Sequence, residues 1–245
     1  MRKLLFVALL AVGMTAGAEE KNAVMANTDT VAAPVVNGDG GVKIADGKDC
    51  DDRWSMHFNV GISIPTGAPD GVDFAPFRSW EFGLTAIQYD YTPKKMSKTT
   101  FSAGLGVLWR KYTLSGHDKM FVKNGGVLEV VNREGAMADL SSNIHTFAIT
   151  MPLLIKQRFG KEFAVSVGAQ LNWNVHGRSH NDFEIGDQEY DINTKDIGYR
   201  PFTVDIMAIV HVCKGLGIYC KYSPMSVLKN GRGPEFRSVS LGFYF

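Results

Sequence analysis

Residues 54–64 alternate without a break. Trp54, Met56, Phe58, Val60, Ile62 and Ile64 are apolar, while Ser55, His57, Asn59, Gly61 and Ser63 between them are small or polar. Side chains of an extended chain point to opposite sides in turn, whereas the helical period of about 3.6 residues would scatter these two sets around an axis. Residues 236–245, F-R-S-V-S-L-G-F-Y-F, follow the same rule. Val239, Leu241, Phe243 and Phe245 face one way, and Ser238, Ser240, Gly242 and Tyr244 the other. Each strand therefore has a fully apolar face that must be kept from water, and a polar face that lipid would not accept.

Further extended segments lie near residues 79–92, 98–114, 145–159, 162–176, 201–213 and 215–224, giving a series long enough to cross a bilayer at the usual tilt, about 9–11 residues per strand. In 162–176, Phe163, Val165, Val167, Leu171, Trp173 and Val175 share one face, and Ser166, Gln170, Asn172, Asn174 and His176 the other. The segment 79–92 changes phase. Trp80, Phe82, Leu84 and Ala86 occupy even positions, but Ile87, Tyr89 and Tyr91 odd ones. One extra residue restores a single face, which predicts a β-bulge near Ala86 and Ile87. The connections T-P-K-K-M-S, F-G-K-E and C-K-G are short and alternate with longer ones. Trp80, Trp109, Trp173 and Phe202 fall near one end of their strands. Trp54, Phe159, Phe163, Phe243 and Phe245 fall near the other. Two aromatic girdles, short turns at one end and long loops at the other point to an all-β fold, a transmembrane antiparallel up-and-down barrel over residues 53–245. A secreted antiparallel sandwich would also alternate but has no need of two girdles.

The start of the chain is consistent with this. Arg2 and Lys3 precede an apolar run too short to span a bilayer as a helix, and Ala16-Gly17-Ala18 follows it, so residues 1–18 read as a secretory signal peptide. Residues 19–52 are small and polar and read as a disordered periplasmic tail. A net charge of +1 offers no electrostatic case for nucleic acid. Cys50, Cys213 and Cys220 have no metal-like spacing; isolated thiols, or a Cys50–Cys213 bond, remain open.

The segments M-P-L-L-I-K-Q-R-F-G at 151–160, Y-S-P-M-S at 222–226 and S-V-S-L-G-F-Y-F at 238–245 resemble the small eight-stranded outer-membrane barrels, the OmpX- and OmpA-like family with its outer-membrane β-barrel domain. The resemblance covers residues 53–245. It implies residence in the bacterial outer membrane among lipid and lipopolysaccharide, with both termini periplasmic. It also implies recognition of the last strand by the barrel assembly machinery. No peptidoglycan-binding segment follows the barrel, a departure from the full-length OmpA pattern. The family has many members without defined chemistry, and a fold does not carry function.

The interior of such a barrel is filled by side chains. Alternation assigns Glu81, Arg110, Lys156, Arg158, Asp205, His211 and Lys221 to an interior polar cluster, together with His57, Asn59, Tyr112, Gln170, Asn172, Asn174 and Tyr219. Glu81 and Arg110 stand at matching heights and are expected to pair. No cofactor, metal or catalytic group is expected. The leading reading is a non-enzymatic structural or surface-interaction protein whose external loops meet a ligand or host surface. A narrow pore for small solutes and a lipid-modifying enzyme are the alternatives. His176, Ser179 and Asp182 would be the only triad candidates for the enzyme. Asp182, Glu184, Asp187, Glu189, Asp191 and Asp196 suggest a solvated acidic loop only loosely like a calcium loop. Val127 to Val131 reads as a hairpin strand that extends the sheet beyond the membrane, where strand addition could recruit a partner.

Overall fold

The computed structural model describes residues 53–132, 137–160, 163–185, 188–213 and 215–245, with two short pieces before them. The expected signal peptide, Cys50 and nearly all of the expected tail lie outside the described residues. The short pieces, β1 (Val35–Val36) and β2 (Val42–Lys43), pair with each other. The remaining strands are β3 (Arg53–Thr66), β4 (Trp80–Tyr91), β5 (Thr99–Thr113), β6 (Lys119–Asn124), β7 (Val127–Asn132), β8 (Met137–Arg158), β9 (Ala164–Ile185), β10 (Gln188–Lys195), β11 (Phe202–Cys213), β12 (Leu216–Ser223) and β13 (Arg237–Tyr244).

Eight of these close into a ring of antiparallel neighbours in the order β3, β4, β5, β8, β9, β11, β12, β13 and back to β3. The closing ladder runs from Arg237 opposite Thr66 to Tyr244 opposite Asn59, and Phe245 and Phe58 exchange two further backbone hydrogen bonds. At this seam Gly61 faces Gly242. A Cβ on Gly242 would collide with the Val60 carbonyl, and one on Gly61 with the Tyr219 hydroxyl. Glycine is required there by close approach. The phase change in β4 is a bulge at Ala86: Thr85 pairs with Gly106 and Ile87 with Leu105. It leaves Ile87 outward and Gln88 buried inside.

The two faces of the ring are chemically opposite. Met56 is 66% exposed, Leu105 57%, Ile155 51% and Ile206 54%, with similar residues around every ring strand. The inward neighbours Ser63, Glu81, Thr150, Ser166, Asp205, Lys221 and Ser240 are buried. A polar interior inside an apolar exterior is the arrangement lipid demands and water forbids. Aromatic rings bound this belt. At one rim Trp109 packs against Phe82 and Phe147 with centroids 5.8 and 4.8 Å apart, and Trp173 stacks on Phe202 at 6.0 Å. At the other, Trp54 meets Tyr89 at 5.3 Å, Phe58 stacks on Phe245 at 4.7 Å, and Phe159 meets Phe163 at 5.9 Å.

Two strands exceed the expected spans. β8 and β9 run 22 residues each, past the upper girdle, and β10 pairs with the added part of β9. The acidic segment read as a loop is therefore largely a strand pair. β6 and β7 form a hairpin, which includes Val127 to Val131. It packs on the inner side of the protruding sheet, where Met120 meets Leu140 and Phe183. Above the barrel, Tyr112, Leu114, Phe121, Leu128, Ile144, Ile197, Leu228 and Phe236 form an apolar cap joined by Phe74 and Tyr199.

Placing a cation on the lipid face tests the orientation of the belt. Ile206→Arg should destabilise the barrel by about 2–4 kcal/mol in lipid vesicles, as read from urea unfolding, and Cys213→Arg at the strand end by no more than about 1 kcal/mol.

Candidate functional site

The barrel interior gathers four charged side chains, from β4, β5, β11 and β12, at one level. Glu81 on β4 accepts hydrogen bonds from Arg110 Nε of β5 at 3.2 Å and from the Tyr219 hydroxyl of β12 at 2.8 Å. Lys221 Nζ, also on β12, stands 2.7 Å from the other bond's oxygen, Glu81 Oε1. Arg110 reaches across to Asp205 on β11, which also accepts from Asn172 Nδ2 of β9 at 2.8 Å and from Ser223 Oγ at 2.6 Å. Glu81 and Asp205 are wholly buried, Lys221 is 1% and Arg110 6% exposed. Two carboxylates and two cations cancel in charge. Every carboxylate oxygen receives at least one donor, as burial of charge requires.

Alternation brings these groups inward, but only ring closure brings Asp205 and Lys221 against Glu81 and Arg110, which lie far away in the chain. Other residues assigned to the same cluster sit elsewhere. His211 and Lys156 are half-buried near the opposite rim. There His211 Nε2 shares a hydrogen bond with Ser166 Oγ at 2.8 Å, and His57 stacks on Tyr244 at 5.0 Å. His57 Nδ1 lies 3.1 Å from the Phe245 carbonyl oxygen. Arg158 departs from the expectation: it is exposed at the last position of β8, where the strand has left the lumen. The girdle residues Trp54, Trp80, Trp109, Trp173, Phe202 and Phe243 point outward, and Phe245 is half-buried at the seam.

The candidate triad does not assemble. Ser179 lies in β9 and is buried on the inner face, whereas Asp182, an odd number of residues on, faces out. His176 is paired opposite Phe147 beside a register shift. The acidic residues form opposed pairs, Glu184 with Glu189 and Asp182 with Asp191. Asp187 lies outside the described residues, and Asp196 adopts a left-handed conformation with φ 53° in the turn after β10. Above the girdle, the outer face holds a cross-strand row, Lys111 beside His145 beside Arg178 beside Lys195. Burial, with Lys111 and Arg178 alongside, pushes the His145 imidazole down to about 4, so it is neutral at physiological pH. Cys213 and Cys220 carry exposed, unbridged thiols.

Together these features define a class: a closed eight-stranded transmembrane barrel with a charge-compensated interior, an apolar cap and a sheet projecting from one rim. No family model and no curated protein matches the chain. Among solved structures it is similar to Ail, the attachment invasion locus protein of Yersinia pestis, determined in complex with the heparin analogue sucrose octasulfate. The match covers 79% of this chain and 98% of that one, at 11% sequence identity and a TM-score of 0.31. So loose a superposition gives no residue correspondence; ring closure and the two-faced strands define the fold.

Removing one member of the interior network leaves its partners buried and unpaired. Glu81→Gln should destabilise the barrel by about 3–5 kcal/mol, measured by urea unfolding in vesicles. The double variant Glu81→Met with Lys221→Met should be less destabilised than Glu81→Gln alone, because no charge is stranded.

Proposed function

We propose that this chain is an integral protein of the bacterial outer membrane that performs no chemistry, keeps its barrel shut and meets partners outside the cell through the sheet above its upper girdle. The observation carrying this reading is the free edge of β10. Among the described residues its only ladder is with β9, over eight positions, and Tyr190 and Ile192 are 41% and 43% exposed. A strand edge presents unpaired N–H and C=O groups to which an extended segment of another chain can add, with alternate side chains supplying selectivity.

Two features speak against the pore. The ion-pair network crosses the lumen, and the apolar cap covers the rim above it. The tight connections lie at the opposite rim, which supports an exterior position for the protruding sheet and a periplasmic one for the termini. Lipid and lipopolysaccharide would surround the belt, and the assembly machinery would receive β13.

Refolded protein in a planar bilayer should be electrically silent; regular conductance steps altered by Arg110→Ala would return the reading to transport. In a cysteine-free background, a thiol introduced by Glu189→Cys, exposed on the outer face of β10, should react with a membrane-impermeant maleimide on intact cells, while the native Cys213 alone should not. Panning a phage-displayed library of random peptides against the refolded barrel should enrich peptides with alternating apolar residues. Ile192→Pro, which breaks the extended edge, should weaken their binding at least about tenfold, or ~1.4 kcal/mol. Equal enrichment on both proteins would discard strand addition.

A further inference from the structure

The outer face of the β9–β10 ribbon holds a set of donors that neither the barrel nor the free edge employs. Asp182 lies directly opposite Asp191, and His180 opposite Asn193. Their spacing of two along each strand puts all four on one face. We propose that His180, Asp182 and Asp191 form a site for a divalent transition-metal ion, with zinc the ion it fits best.

The geometry is compact. His180 Nε2 lies 3.2 Å from Asp182 Oδ2, His180 Nδ1 lies 3.2 Å from Asp191 Oδ1, and one ligand atom of each residue falls within 4.8 Å of the others. Like charges placed directly opposite on neighbouring strands repel, and a cation held between them reverses the sign of that interaction. One imidazole nitrogen with carboxylate oxygens is a zinc donor set. Calcium instead takes six to eight oxygens, which this ribbon does not supply.

Asn193 supplies the orienting contacts such a site needs. Its Oδ1 stands 3.0 Å from His180 Nδ1, and its Nδ2 donates to Asp191 Oδ1 at 2.7 Å. With the Nδ1 proton directed at Asn193, the lone pair of Nε2 is left on the side of Asp182, and Asp191, whose Oδ1 lies on the Nδ1 side of the ring, joins the ion by rotation of its exposed carboxylate. Metal-binding histidines use their second nitrogen in this way. The His145 ring lies 6.2 Å from that of His180, a second imidazole within a side-chain movement of the ion. Charge is layered around the site: Glu184 and Glu189 are the next outward-facing pair on one side, Arg178 and Lys195 on the other. The basic pair keeps affinity below that of enclosed sites, and the half-exposed ligands leave a coordination position open to water or to a donor from outside. The site does not depend on whether the edge of β10 binds a partner.

The test is calorimetric titration of ZnCl₂ into tag-free, full-length protein refolded in detergent, with Cys50, Cys213 and Cys220 changed to serine to remove competing thiolates. One saturable equivalent is expected, with affinity reduced at least about tenfold in His180→Ala and in Asp191→Asn, and reduced also in Asn193→Ala, which alters no charge. Folding of each variant is checked by its heat-dependent shift on a gel. Co²⁺ in place of zinc should give visible d–d absorption that His180→Ala abolishes. Absence of saturable zinc binding, isotherms unchanged in His180→Ala and Asp191→Asn, or equal competition by CaCl₂ would overturn the proposal.

Discussion

An open sheet edge in hydrocarbon strands a row of N–H and C=O groups with no water to satisfy them, at several kcal/mol for each group. The ladder between β13 and β3 removes that edge, and the rest of the architecture follows from it. Closure needs an even number of strands if short turns are to share one rim. It needs small residues where backbones converge, which Gly61 and Gly242 provide. It needs a bulge where β4 would otherwise turn its apolar residues into the lumen. It also converts alternation along each strand into a division between lipid and interior.

That division makes the interior a narrow polar space with little room for solvent. Charges within it are tolerable only as a closed set, and Glu81, Arg110, Asp205 and Lys221 form one with Tyr219, Asn172 and Ser223 as auxiliary donors. Because the set draws on β4, β5, β9, β11 and β12, it ties strands that never pair with one another. Loss of a single member acts on the whole ring. The network and the cap act in series along the axis, one by filling the lumen with paired charge and one by covering its mouth with apolar side chains.

Beyond the upper girdle the same strands meet a different solvent. The outer face of β5, β8, β9 and β10 now looks onto water and carries Lys111, His145, Arg178, His180, Asp182 and Asp191. The inner face rests on the β6–β7 hairpin through Leu140 and Phe183, with Asn181 donating to the Phe121 carbonyl at 2.8 Å. A sheet that is polar outside and covered inside can project without lipid. Its unpaired edge and its opposed carboxylates are then the features left for partners and ions.

The existence, facing and order of the eight ring strands were legible because lipid outside and side chains inside impose opposite demands on successive residues, a contrast that residues 54–64 and 162–176 carry almost without exception. The bulge in β4 could be read from its phase change for the same reason. The upper halves of β8 and β9 were not legible. There the two faces differ less, so S-S-N and H-G-R-S-H-N-D look like loop. Local pattern also placed Arg158 inside, although the strand end has already left the lumen. Sequence alone determined which residues of the membrane-crossing ring segments face inward, Arg158 excepted, and that Glu81 and Arg110 share a height. Only the closed tertiary structure decided that Asp205 and Lys221 complete their charge, and that His180 lies between two aspartates. Those contacts depend on register and ring closure between segments distant in the chain, which no local periodicity encodes.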